Sequence, residues 1–315
     1  MQRFNNILFV SHGVTDETEA LKQALSLARN NKAELKAVIV CPDFPKEMAD
    51  YKGKYESSLI EQLQASIRKT REAVKVSEAD VPVQIEVESG DTPAIRIIRH
   101  VIKGSHDLVI KEAEPKVSGK GFMAMDMELL RKSPCPVWLT RPISDHRNEM
   151  KVAVAIDPES MATEGHDLSI RLLQLANSLA ASCSGALDIV SCWHFEHEDY
   201  LRSNASVWIR VPKSELDELV AKRQSEHRAA LDALIHESAI TGGEYRIQHI
   251  KGLPEQAIPD FIEKNGIDIL VMGTVARTGI YSFVIGNTAE NILQKLSCSL
   301  LALKPNGFVS PVKAY

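Results

Sequence analysis

Short, continuous apolar runs alternate along this chain with longer stretches of helical periodicity. The first run, "NILFVS" (6–11), has the character of a strand buried on both faces. "DETEALKQALSLARN" (16–30) follows, with Ala20, Leu21, Ala24, Leu25 and Ala28 on one helical stripe. Then come "ELKAVIVC", a long helical segment near 56–76, "VPVQIEVE", a helix near 93–103, "DLVI", a helix near 125–133 and "PVWLT". This β-α-β-α alternation predicts a mostly parallel five-stranded sheet with helices on both faces and right-handed crossovers.

The pattern then starts again. "NNILFVSHG" (5–13) matches "MKVAVAIDP" (150–158), and "LLRKSPCPVWLT" (129–140) matches "ILQKLSCSLLAL" (292–303). Between them, "VESGDTPAIRIIRHVIKGSHDLVI" (87–110) matches "IKGLPEQAIPDFIEKNGIDILVM" (250–272). Gly90 thus corresponds to Gly252, Asp107 to Asp268, Lys132 to Lys295 and Cys135 to Cys298. A period of half the chain is too long for a solenoid and indicates a duplicated domain. The polar segment "RPISDHRNE" (141–149) is the expected linker, which gives domains 1–143 and 150–315. In a sheet of this kind ligands bind beyond the carboxyl ends of the strands, where the strand order reverses. Residues after the first and fourth strands of each copy therefore matter most.

In the second copy this place is occupied by "VMGTVARTGIYSFVIGNTAENIL" (271–293). A glycine at a strand exit allows close approach to the backbone. Gly286 precedes a helix start, with Asn287 as the expected N-cap and Glu290 three residues on as in a capping box. A helix N-terminus suits phosphate, and Arg277 and Thr278 offer further donors. Against this, Glu290 is expected to compete for the N–H groups a phosphate would use.

These residues resemble the universal stress protein family, in a tandem form, over essentially the whole chain. The family's ATP-binding pattern is Gly, two residues, Gly, nine residues, Gly, then Ser or Thr. Here the first Gly is Gly273, the second position holds Ala276, the third holds Gly286 and the last holds Asn287, with Thr288 next. The family's nucleoside-contacting Asp maps to Asp157. The resemblance implies a nucleotide-binding set of Asp157, Met272, Gly273, Val275, Ala276, Arg277, Gly286, Asn287 and Thr288. It implies ATP or a similar nucleotide, with Mg arriving only alongside it, and a ligand-dependent stress regulator with at most weak nucleotide hydrolysis. It also implies an internal pseudo-dimer joined through "CPVWLT" and "CSLLAL". The first copy departs from the pattern: His12 stands at the Asp157 position, Glu112 at the Gly273 position, and Lys111 precedes it. A carboxylate there repels a triphosphate, so family-type binding is expected in the second copy alone.

Composition narrows the field without deciding it. Charged residues are 25% and the formal net charge is -5, with no basic stripe of the nucleic-acid-binding kind. No apolar run approaches ~18 residues, and no signal peptide is evident at the start. The five cysteines form no CxxC and are expected to be free thiols in a reducing cytoplasm. "WHFEHED" (193–199) carries metal-ligand types but reads as a solvated loop. "SHG" (11–13) lacks the second histidine of a nucleotidylyl-transferase signature. The alternatives to a nucleotide are an apolar or mixed small molecule held between the copies, for which the Met-rich "KGFMAMDMELL" (120–130) is the cue, and a scaffold without a small ligand.

Overall fold

Alternate residues along each strand bury against opposite helix layers, and this parity organises the molecule. The computed structural model describes residues 4–13, 16–114, 119–143, 150–159, 163–183, 185–203, 211–241, 244–274 and 285–314. The first half runs β1 (Asn6–Ser11), α1 (Thr18–Asn31), β2 (Glu34–Cys41), α2 (Lys52–Val74), β3 (Val83–Ser89), α3 (Pro93–Gly104), β4 (Leu108–Glu112), α4 (Ala124–Lys132) and β5 (Val137–Thr140). The second runs β6 (Val152–Ala155), α5 (Thr163–Ser182), β7 (Leu187–Trp193), the short α6 (Glu198–Arg202), α7 (Lys213–Glu237), β8 (Tyr245–Lys251), α8 (Pro254–Asn265), β9 (Ile269–Gly273), α9 (Asn287–Lys295) and β10 (Ser299–Leu303).

All ten strands form one sheet, in the order β3-β2-β1-β4-β5-β10-β9-β6-β7-β8. Pairing is parallel within each half. The halves join where β5 and β10 run antiparallel, with Leu301 opposite Trp138 and Ala302 opposite Val137. The two edges that each half would otherwise leave open are thereby paired to each other. Ile7 and Phe9 bury with α1, α2, α5 and α7 in one apolar layer, whereas Leu8 and Val10 bury with α3, α4, α8 and α9 in the other.

The sequence repeat has structural causes. Gly90 and Gly252 both adopt positive φ, 134° and 147°, a region glycine alone enters easily. Each donates its N–H to the end of the neighbouring strand, Gly90 to the Cys41 carbonyl and Gly252 to the Trp193 carbonyl. Pro93 and Pro254 then open α3 and α8, where a missing N–H costs nothing. Asp107 accepts from the backbone N–H groups of Asn5 and Asn6, and Asp268 from that of Lys151. Each carboxylate fastens the entry of its half's first strand. Met125 and Met127 of the Met-rich stretch are buried core residues of the α3–α4 layer, and Met123 is exposed.

Candidate functional site

In the second half the strand order reverses between β6 and β9, which lie side by side with Ala155 opposite Met272. Asp157 follows β6 by two residues, and Met272 and Gly273 end β9, so the sequence-selected residues flank the reversal. Asp157 Oδ1 accepts the Glu159 N–H at 3.1 Å, which tightens the loop leaving β6. Glu159 in turn takes both terminal nitrogens of Arg223 on α7, and that ion pair holds its carboxyl below the usual range. Met272 is buried in the α8–α9 layer with Leu270 and Ala155.

Gly273 faces the other way, in line with Val271. A Cβ on it would lie 2.9 Å from Leu168 Cδ2 of α5. Its missing side chain therefore leaves room for the tip of Leu168 from the opposite layer.

The loop that leaves β9 is closed at its neck. Gly286 donates its N–H to the Thr274 carbonyl at 3.1 Å, and Thr274 donates to the Leu303 carbonyl of β10. Thr274 is 1% exposed, and its Oγ1 finds no hydrogen-bond partner among the described residues. The start of α9 corrects the capping expected from sequence. Gly286 is the N-cap, at φ -60° and ψ 142°, and no side chain among the described residues caps the helix. Asn287 is the first helical residue and Thr288 the second. The Glu290 carboxylate turns away from these N–H groups and accepts from Arg131 Nη2 at 2.7 Å. Among the described residues, the first N–H groups of α9 have no side-chain cap and the buried Thr274 hydroxyl has no partner, an arrangement suited to an anion. Val275, Ala276 and Arg277, also selected from sequence, lie outside the described residues.

The equivalent place in the first half is filled from within. Lys111, at the Met272 position, is completely buried. Its Nζ donates to Asp126 Oδ1 at 2.9 Å and to the Glu112 carbonyl at 2.7 Å. Asp126 lies in the first turn of α4, and its Oδ2 accepts the Glu114 N–H at 2.9 Å. One internal ion pair thus satisfies the groups that would otherwise meet a ligand. The sequence offered a signal for this, a lysine inside the apolar run "LVIKE" and an acid opening the next helix. Glu17 ties the loop after β1, accepting from Ser11 Oγ and the His12 N–H. Burial, with Lys111 nearby, pushes His12 down to about 4, so it is neutral near pH 7. Burial and the neighbouring Glu17 raise Glu112 to about 7.

Other sequence candidates resolve into structure. In "WHFEHED", Trp193 is buried, and Glu198 pairs with Arg202 and Lys251. Cys41, Cys135 and Cys298 are buried free thiols, and Cys183 and Cys192 are half-buried. Between the halves a crevice of about 40 Å³ lies among Leu27, Asn30, Trp138, Leu179 and Ser182. That crevice has room for water molecules, and a wider open groove of about 370 Å³ lies among Ile95, Arg99, Lys132, Pro311, Val312 and Lys313. Among the described residues no helix is long and apolar enough to cross a membrane.

Comparison with known proteins agrees with the tandem architecture. The model of the universal stress protein family matches residues 3–141 and 150–304. Universal stress protein E of Salmonella typhi is 31% identical over 99% of this chain and 98% of its own length. Its counterpart from Escherichia coli K12 is 30% identical over 99% of this chain and 98% of its own. A structure from Pseudomonas aeruginosa UCBPP-PA14, described as a universal stress protein, superposes with a TM-score of 0.68 at 23% identity, covering 97% of this chain and 95% of that one. The chain therefore belongs to the universal stress protein family.

Proposed function

We propose that the second half binds a nucleoside phosphate, ATP or a close analogue, and that this binding serves a ligand-dependent regulator of the cytoplasmic stress response. The observation that carries the reading is the uncapped N-terminus of α9 beside Thr274, whose buried Oγ1 has no partner among the described residues. Buried polar groups are nearly always paired, so this hydroxyl supports a polar ligand at this place. The glycine-spaced loop between Gly273 and Gly286 and the position of Asp157 at the sheet reversal support the same choice. In this reading Met272 and Gly273 lie at the approach from β9, Gly286, Asn287 and Thr288 supply N–H donors, Asp157 faces the nucleoside, and Val275, Ala276 and Arg277 belong to the binding set. Mg enters only with the phosphates, and no catalytic residue is assigned. The first half, plugged by Lys111 and Asp126, acts as a structural partner. The two family matches support a division into domains 1–143 and 150–315.

The test is to purify the protein without added nucleotide, denature it, and identify released small molecules by mass spectrometry, then titrate the empty protein with ATP. Nucleotide near one per chain, or saturable ATP binding, is expected. An empty protein that also ignores ATP overturns the reading, and an apolar molecule released instead replaces it.

A further inference from the structure

Glu290 sits in the first turn of α9, and its backbone N–H makes the first helical bond, to the Gly286 carbonyl at 2.8 Å. With Gly286 as N-cap, Glu290 is the fourth helical residue, one past the capping-box position, so a bare carboxylate here stays as an unbalanced negative charge beside the place where an anion would bind. Arg131 balances that charge and holds it to one side. Its Nη2 holds Glu290 Oε1 at 2.7 Å, and it reaches there from the last turn of α4 in the first half.

The pair is built in one direction only. By the repeat, Met127 of α4 corresponds to Glu290, and Gln294 of α9 corresponds to Arg131. The first half thus supplies a cation to the second half's site, and the second half returns nothing equivalent. Each residue also suits its helix end, the acid at the start of α9 and the base at the end of α4. The neighbouring charges are occupied elsewhere: Lys132 with Glu128, Lys120 with Glu263, and Lys295 with the Glu255 carbonyl.

We propose that Arg131 is a positioning residue for the second-half site, holding Glu290 off the α9 N-terminus so that the first half sets the second half's affinity for the anionic part of its ligand. The proposal rests on the nucleotide reading above. It gives the first half, which has no open site of its own, a direct role in binding.

The experiment is calorimetric titration of the full-length protein with ATP and, separately, with uncharged adenosine, at low and at physiological salt. The chains compared are wild type, Arg131→Gln, Glu290→Gln and the double variant. Arg131→Gln is expected to weaken ATP binding about three- to fivefold, more at low salt, and to leave adenosine binding unchanged. Glu290→Gln and the double variant are expected to bind ATP at least as tightly as wild type, because the penalty requires the carboxylate. If wild type binds ATP and Arg131→Gln binds it equally well, the proposal is overturned and the nucleotide reading stands. If the double variant is as weak as Arg131→Gln, Arg131 acts through something other than Glu290, which also overturns it. A wild type that binds no ATP removes both readings together.

Discussion

Lys304 Nζ, just beyond β10 in the second half, donates to the carbonyl oxygen of Ser133 in the first half, 2.5 Å away. Lys304 is only 8% exposed, and its Nζ lies 4.2 Å from the centre of the Phe308 ring. Burial pushes it down to about 7. A base whose folded value is depressed leaves the folded state with fewer bound protons than the unfolded chain between pH 7 and its ordinary value. Stability therefore rises with pH above 7, by at most about 1.4 kcal/mol per pH unit. The buried thiols of Cys135 and Cys298, raised to about 11 and about 12, oppose this above their ordinary range near 9. The clean window is pH 7–9. Urea melts across it are expected to show wild type gaining stability, and Lys304→Met losing that slope. An unchanged slope would mean that Lys304 stays charged in the fold.

Lys111 and Asp126 form a second buried pair, and here both partners are fully enclosed. Removing one strands a charge, which typically costs about 3–5 kcal/mol. Lys111→Met and Asp126→Ala place in the first half the residues that Met272 and Ala289 supply in the second. Each single change is expected to lower the urea midpoint sharply. The double variant is expected to be more stable than either single, which a double-mutant cycle reads directly. Additive losses would show that the two side chains do not depend on each other.

Glu112, raised to about 7, gives the opposite pH signature from Lys304. A carboxyl whose folded value is raised keeps its proton longer in the folded state. Its contribution is present at low pH and is lost as pH climbs from about 4.5 through 7. The difference in stability between Glu112→Gln and wild type is expected to grow in favour of the variant across that range and then level off. The size is on the order of 1 kcal/mol, because the site is only half-buried and solvent screens it. His12, lowered to about 4, contributes the reverse slope in the same acid range, so only the difference between the two proteins isolates Glu112.

Gly273 and Gly286 separate packing from binding. Gly273→Ala drives a methyl group towards Leu168 Cδ2, the movable end of that side chain, and is expected to lower stability by about 1 kcal/mol or less, with a correspondingly small drop in melting temperature. Combining it with Leu168→Val is expected to recover part of that loss. Gly286 sits at ordinary extended angles, so Gly286→Ala costs little beyond its weaker N-cap preference. A loss of ATP affinity in Gly286→Ala without a matching loss of stability would assign that residue to the site.

The apolar runs and their spacing were enough to define two βα copies, their strand order of appearance and the glycines that recur between them. They suffice because burial on both faces of a parallel strand demands a continuous apolar run, and positive φ at Gly90 and Gly252 demands glycine, wherever the rest of the chain lies. The position of Asp157 and Gly273 at strand ends was legible for the same reason. Three relationships were not. Lys111 meets Asp126 across 15 residues, Glu290 meets Arg131 across 159, and Gly273 of β9 yields to Leu168 of α5. Each joins separate elements, fixed by how the helices dock on the sheet and, for Arg131 and Glu290, by the antiparallel seam of β5 and β10. Local pattern assigned Glu290 to a cap at Asn287, but the helix starts one residue earlier, at Gly286, which puts Glu290 past the capping position and leaves it to a cation from the other half. That seam makes one sheet from two copies, and it brings Arg131 of one half to Glu290 on the first turn of α9 in the other.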